Sequence, residues 1–144
     1  SKNTIEDIEG CKSQLLMLKN HLLELDLSYN SLRIIPEWFA ELESLQVLNL
    51  THNCLEAFPP CLPGLRKLFL TANPYLKLIP TEFKQMTSLE YVALDAKNIA
   101  NMPVEIVSRE PEDIRKYLED LQRGHQKCYR IKLMIVGEEA VGKV

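Results

Sequence analysis

"LLELDLSYNSLRIIP", residues Leu22 to Pro36, is the stretch on which the reading of this chain turns. Its apolar residues follow neither a helical period nor a plain strand alternation. They run LxxLxLxxNxL, with Leu22, Leu25, Leu27 and Leu32 around Asn30. The same lettering returns as "LQVLNLTHNCLEAFP" from Leu45, "LRKLFLTANPYLKLIP" from Leu65 and "LEYVALDAKNIANMP" from Leu89. Starts at 22, 45, 65 and 89 are 23, 20 and 24 residues apart. A period of about 20–29 residues with this lettering marks a leucine-rich repeat.

The spacing has a physical reason. Each repeat is one turn of a coil with one short strand, and its inward leucines are buried only when neighbouring turns stack on them. Leu25, Leu27 and Leu32 are therefore expected to stack on Leu48, Leu50 and Leu55, then Leu68, Leu70 and Leu76, then Val92, Leu94 and Ile99. Asn30, Asn53 and Asn73 point inward at the turn after the strand, where an amide satisfies backbone groups that an apolar residue would strand. The third repeat has an extra residue in Pro74-Tyr75-Leu76, which predicts a small bulge. The fourth has Lys97 at the ladder position and Asn98 displaced by one, so the pattern is failing there.

The expected fold class is α/β: a leucine-rich-repeat solenoid with a curved parallel sheet, an irregular or helical convex side, a C-terminal helix and one orphan strand. Residues 1–21 form an N-terminal helix or part of another repeat, and 22–108 the repeats. Residues 109–127 form a capping or linker helix, and 128–144 a first strand and truncated phosphate loop. "EPEDIRKYLEDLQRG" carries Pro111 and two acids in its first turn and Gly124 at its stop, the signals of a helix. Ile114, Tyr117, Leu118 and Leu121 share one face of it. Such a helix either caps the solenoid or hinges to a following domain.

At 144 residues with a net charge of −3, the chain has no basic field for nucleic acid or anionic membrane. Cys11, Cys54, Cys61 and Cys128 form no CxxC pair, so neither zinc nor redox chemistry is expected, and free thiols fit a cytoplasmic protein. No run approaches the roughly 18 apolar residues of a membrane span, and Ser1-Lys2-Asn3 does not open a signal peptide. His21, His52 and His125 join no Ser, His and Asp or Cys and His constellation, so no catalytic residue is named.

The last stretch, "IKLMIVGEEAVGKV", raises a separate chemistry. Ile131 to Val136 is a nearly continuous apolar strand of the kind found within parallel sheets. It runs into Gly137-Glu138-Glu139-Ala140-Val141-Gly142-Lys143, a GxxxxGK loop whose N–H groups and lysine suit phosphates. Magnesium needs a Ser or Thr next, where Val144 stands. With only this strand and loop of such a domain in the sequence, no useful nucleotide affinity is expected.

Repeats, a helical connector and then "YRIKLMIVGEEAVGK" together resemble the Roco family, in which leucine-rich repeats precede a Ras-like GTPase domain called Roc, then a dimerising COR domain and often a kinase. The resemblance implies that Gly137, Gly142 and Lys143 cradle GTP or GDP, with magnesium, in the intact parent. It implies the downstream Roc and COR domains as partners, and no catalytic site or cofactor within this chain alone.

A protein partner is expected on the concave face, where solenoids present the residues between their leucines. One row reads Glu24, Val47, Lys67, Tyr91, and the next Asp26, Asn49, Phe69, Ala93. Val47, Phe69 and Tyr91, with Lys67 and Asn49 beside them, form the candidate binding patch. The preferred function is thus a protein-interaction module of a larger Roco-type GTPase. The alternatives are nucleotide binding intrinsic to this chain through 137–143, and insertion of the strand 131–136 into another chain's sheet.

Overall fold

A computed structural model describes residues 8–121. The expected orphan strand, Gly137, Gly142 and Lys143, together with His125 and Cys128, lie outside the described residues. Four strands of three residues each form one parallel sheet: β1 (Glu24–Asp26), β2 (Val47–Asn49), β3 (Lys67–Phe69) and β4 (Tyr91–Ala93), side by side in chain order. The register places Leu25, Leu48, Leu68 and Val92 opposite one another. Leu48, Leu68, Leu50 and Leu55 have no exposed surface at all, whereas Leu25, Val92 and Leu94 at the two ends of the stack are half-buried. Each fully covered leucine contributes about 1.5–3 kcal/mol by leaving water.

The asparagines do more than close their own turn. Asn53 Nδ2 donates to the carbonyls of Leu50 and of Leu27 one turn earlier, both at 3.0 Å. Its Oδ1 accepts the Leu32 N–H at 3.0 Å. Asn73 repeats the arrangement, donating to Leu50 and Leu70 and accepting from Leu55 at 3.1 Å. Each inward amide thus ties two turns together, and the Leu32 and Leu55 N–H groups would otherwise be buried without partners. Just ahead of these asparagines, Tyr29, His52 and Ala72 are left-handed with φ of 59°, 59° and 60°, a costly conformation for residues with a Cβ. The N–H groups of Tyr29 and His52 are held by the Thr51 and Thr71 carbonyls of the next turn.

The fourth repeat ends the ladder differently from the expected Lys97 position. The extra residue of the third repeat folds Pro74 and Tyr75 into an outward turn, and the Leu76 N–H bonds the Asn73 carbonyl of its own repeat. No asparagine is then needed opposite it, and Lys97 is exposed. Asp95 Oδ2 accepts the Ala72 N–H at 2.7 Å, in place of the main-chain carbonyls used earlier. Asn101 both accepts from and donates to the Ile79 backbone.

The convex side carries single helical turns at Glu37–Glu41 and Thr81–Gln85, which sink Phe39 and Phe83 into the core. The second repeat, the shortest, has no such turn, and Pro59, Pro60 and Pro63 run through that segment; prolines withhold the N–H groups a helical turn needs. Within residues 8–21, upstream of the first repeat, there is a short helix, α1 (Lys12–Met17), preceded by a tight turn at Glu9–Cys11. Ile8 is buried, and Trp38 Nε1 donates to the Glu9 carboxylate.

After Pro103 come α2 (Val104–Val107) and a helix, α3, over 111–121. α2 was not expected from the sequence. Ile114 and Leu118 of α3 are buried and Tyr117 is half-buried, but Leu121 is 51% exposed, so the predicted apolar face is covered for only part of its length. Arg115 Nη1 donates to the carbonyls of Met86 and Leu89, at 2.8 and 3.2 Å, closing the convex turn beneath β4.

Replacing Asn53 by Ala strands the Leu32 N–H and takes one of two donors from the Leu27 and Leu50 carbonyls, and should cost about 1–3 kcal/mol in urea denaturation. Asn98→Ala, at a displaced asparagine outside the ladder, should change stability by less than about 0.5 kcal/mol.

Candidate functional site

The concave surface is built by the pleat itself: as each leucine turns inward, its neighbours on the strand turn outward. Glu24, Val47, Lys67 and Tyr91 stand in one register row, and Asp26, Asn49, Phe69 and Ala93 in the next. Tyr91 is half exposed, Val47 and Phe69 are half-buried, and Lys67 is exposed. The Phe69 and Tyr91 rings lie 5.5 Å apart, tilted at 53°, a favourable aromatic geometry. The two residues are diagonal rather than directly opposite, because Phe69 pairs with Ala93 and Tyr91 with Lys67.

Asn49 has a local duty as well. Its Oδ1 accepts the Thr51 N–H at 3.0 Å and so closes the end of β2. Asp26 does the same for β1 with one oxygen, accepting both the Ser28 N–H at 2.9 Å and the Ser28 hydroxyl at 2.6 Å. Hydrogen bonds from the Ser28 hydroxyl, then its N–H, hold the Asp26 carboxyl below its usual range.

Exposed charges pair across repeats: Arg33 with Glu56 at 2.8 Å and Arg66 with Glu90 at 2.7 Å. On the face, Glu24, Asp26 and Lys67 have no ion pair among the described residues. The surface therefore runs from acidic at β1, through Val47 and Asn49, to a lysine and two aromatic rings at β3 and β4.

Two features of the site escaped the periodicity. Tyr29 and His52 stack with ring centres 4.4 Å apart and planes within 13° on the rim beside the concave rows. Their shared column, two residues past the last strand leucine, was the available signal; His52 alone reads as an arbitrary polar turn residue. The second is a groove of about 700 Å³ continuing from Tyr91 and Ala93 past β4 to Val107, Arg109 and Glu110. Sequence spacing carries no sign of this ledge because it forms where the repeat stops.

Among the described residues no three His, Cys, Asp or Glu side chains gather as a metal site, and no helix is long and apolar enough to cross a membrane. Cys11, Cys54 and Cys61 are free thiols, and burial pushes the Cys61 thiol up.

Residues 17–55 match the family model described as Leucine rich repeat. The chain is 36% identical over 104 residues to mouse leucine-rich repeat serine/threonine-protein kinase 1, covering 70% of this chain and 5% of that protein. It is 39% identical over 74 residues to pats1 of Dictyostelium discoideum, whose name also describes a serine/threonine-protein kinase, covering 51% of this chain and 2% of that one. Among solved structures, a leucine-rich-repeat protein of Leptospira interrogans aligns with a TM-score of 0.54 and 35% identity over 65% of this chain and 23% of its own. The chain thus carries a leucine-rich-repeat region with the solenoid fold, the architecture of a protein-interaction module.

Asp26 makes the strand end of that solenoid sensitive to acid. Its lowered carboxyl stabilises the fold above the unfolded value of about 3.9, and this contribution is lost as pH falls through the folded value. Asp26→Asn keeps a neutral acceptor, as Asn49 shows. The gap in Tm between wild type and variant should be small at pH 7, because the group is solvent-screened, and should narrow as pH falls below the unfolded value. A gap independent of pH would contradict the hydrogen-bond assignment.

Proposed function

We propose that this chain is the regulatory, partner-docking solenoid of a larger Roco-type protein, and that it binds protein through its concave face. The observation that carries the docking half is the juxtaposed Phe69 and Tyr91 on an exposed sheet face, with Val47, Lys67 and Asn49 around them. Aromatic side chains in a desolvatable patch are the usual anchors of protein recognition. Residues 22–108 supply the docking surface, 1–21 and 109–127 flank it, and 128–144 begin a Roc-like domain.

Two independent similarities support the Roco half. One is the order of repeats, connector and GxxxxGK loop in the sequence; the other is the identity to two long proteins named as kinases, since Roco chains often end in a kinase. The chain spans a few per cent of their length, and GTPase or kinase activity belongs to the parent. There, Gly137, Gly142 and Lys143 hold the phosphates of GTP or GDP with magnesium, and the Roc and COR domains lie downstream. The cytoplasm is the compartment that fits such a protein.

Phe69→Glu should weaken capture of a bound partner at least tenfold, about 1.4 kcal/mol or more, while the circular dichroism melt stays within a few degrees of wild type. Undiminished capture would remove the patch from the site. Peptide mapping of the native protein from its source tests the Roco half: peptides of the rest of a GTPase domain should be found downstream of Lys143, and the residue that follows Lys143 there should be identified. Magnesium-dependent micromolar binding of a fluorescent guanine nucleotide by residues 1–144 alone would instead favour the intrinsic nucleotide-binding alternative.

A further inference from the structure

We propose that the concave face selects an extended polypeptide segment that lays a basic side chain against Glu24 and Asp26 and an apolar side chain against the Phe69 and Tyr91 pair. This names the chemistry of the partner and rests on the concave-face reading above. Its basis is charge complementarity. Glu24, Asp26 and Lys67 face the concave side without ion-pair partners among the described residues, with the acids on the first strand and the lysine beside the two rings. Both hydrogen bonds from Ser28 fall on Oδ1 of Asp26, and none from the described residues falls on Oδ2.

The geometry sets the order and spacing of the segment. β1 carries the acids, and the Phe69 and Tyr91 rings stand together on β3 and β4, two and a half strand spacings away, or about 12 Å. An extended chain crossing the strands covers that distance in about four residues at about 3.3 Å each. Between the two anchors the segment passes Lys67, which stands in register with Val47 and Tyr91. A second basic residue in the middle is repelled there, while a neutral or acidic one is accepted. The recognised pattern is therefore basic, then neutral or acidic, then apolar, and a uniformly basic tract is disfavoured. Such an arrangement discriminates by repulsion as well as attraction.

The test uses residues 1–144 and fluorescently labelled twelve-residue peptides read by anisotropy. The first peptide has Arg at position 4, Asp at 6 and Trp at 8; the others replace the Arg by Glu, the Trp by Ser, or the Asp by Lys. The first should bind tightest, and Glu24→Lys should weaken it about three- to tenfold while strengthening the Glu-bearing peptide. Lys67→Glu should reverse the preference at position 6. All variants are checked by circular dichroism, and Glu24→Gln supplies a milder change should Glu24→Lys disturb β1. If Phe69→Glu abolishes binding but Glu24→Lys and Glu24→Gln do not alter it, the partner chemistry is wrong and the concave docking face stands. If Phe69→Glu also leaves binding unchanged, both readings fail. If no peptide binds at about 1 mM, the proposed selection is overturned.

Discussion

The inward amide that joins one turn to the next is the interaction on which the rest of this structure depends. A three-residue strand satisfies few of its own backbone groups, and the turn after it would bury several more without partners. Asn53 and Asn73 each donate to carbonyls in two turns and accept an N–H from the earlier one. An aliphatic side chain there would fill the same space and leave the accepted N–H of Leu32 or Leu55 stranded. Because the bonds cross repeats, they set the register in which the leucines stack, and the apolar core follows from it.

Departures from the repeat show the same constraint at work. Where the third repeat gains a residue, its own backbone supplies the bond, and the ladder stops without leaving Leu76 unsatisfied. Asp95 and Asn101 take over the neighbouring backbone groups with side chains. Beneath β4, Arg115 reaches from α3 to two main-chain carbonyls, so the convex turn at that end is closed by a charged donor rather than by another repeat. The apolar columns tell the complementary story: Val92 and Leu94 keep exposed surface at the end of the stack.

A strict division of faces follows. Residues that alternate with the leucines are free of core duties and carry recognition, whereas those past the strand end are held by backbone geometry. Asp26 and Asn49 belong to both groups, since each stands on the concave face while tying down its own turn. Substitution there mixes recognition with stability. Val47, Lys67, Phe69 and Tyr91 have no such second task, which makes them the cleaner probes of binding.

The lettering LxxLxLxxNxL by itself determined the solenoid, the parallel order of its strands, the leucine columns and the two concave rows. Period and alternation are local properties that stacking preserves, so they can be read before any contact is known. Other features were decided only by the tertiary structure. The amide's reach into the preceding turn, the Tyr29 and His52 stack, and the ledge from Val107 to Glu110 all depend on residues brought together across turns. So does the exposure of Leu121, whose helical spacing promised burial: a helix face is covered only as far as there is surface beneath it, and no period in the sequence states where that surface ends.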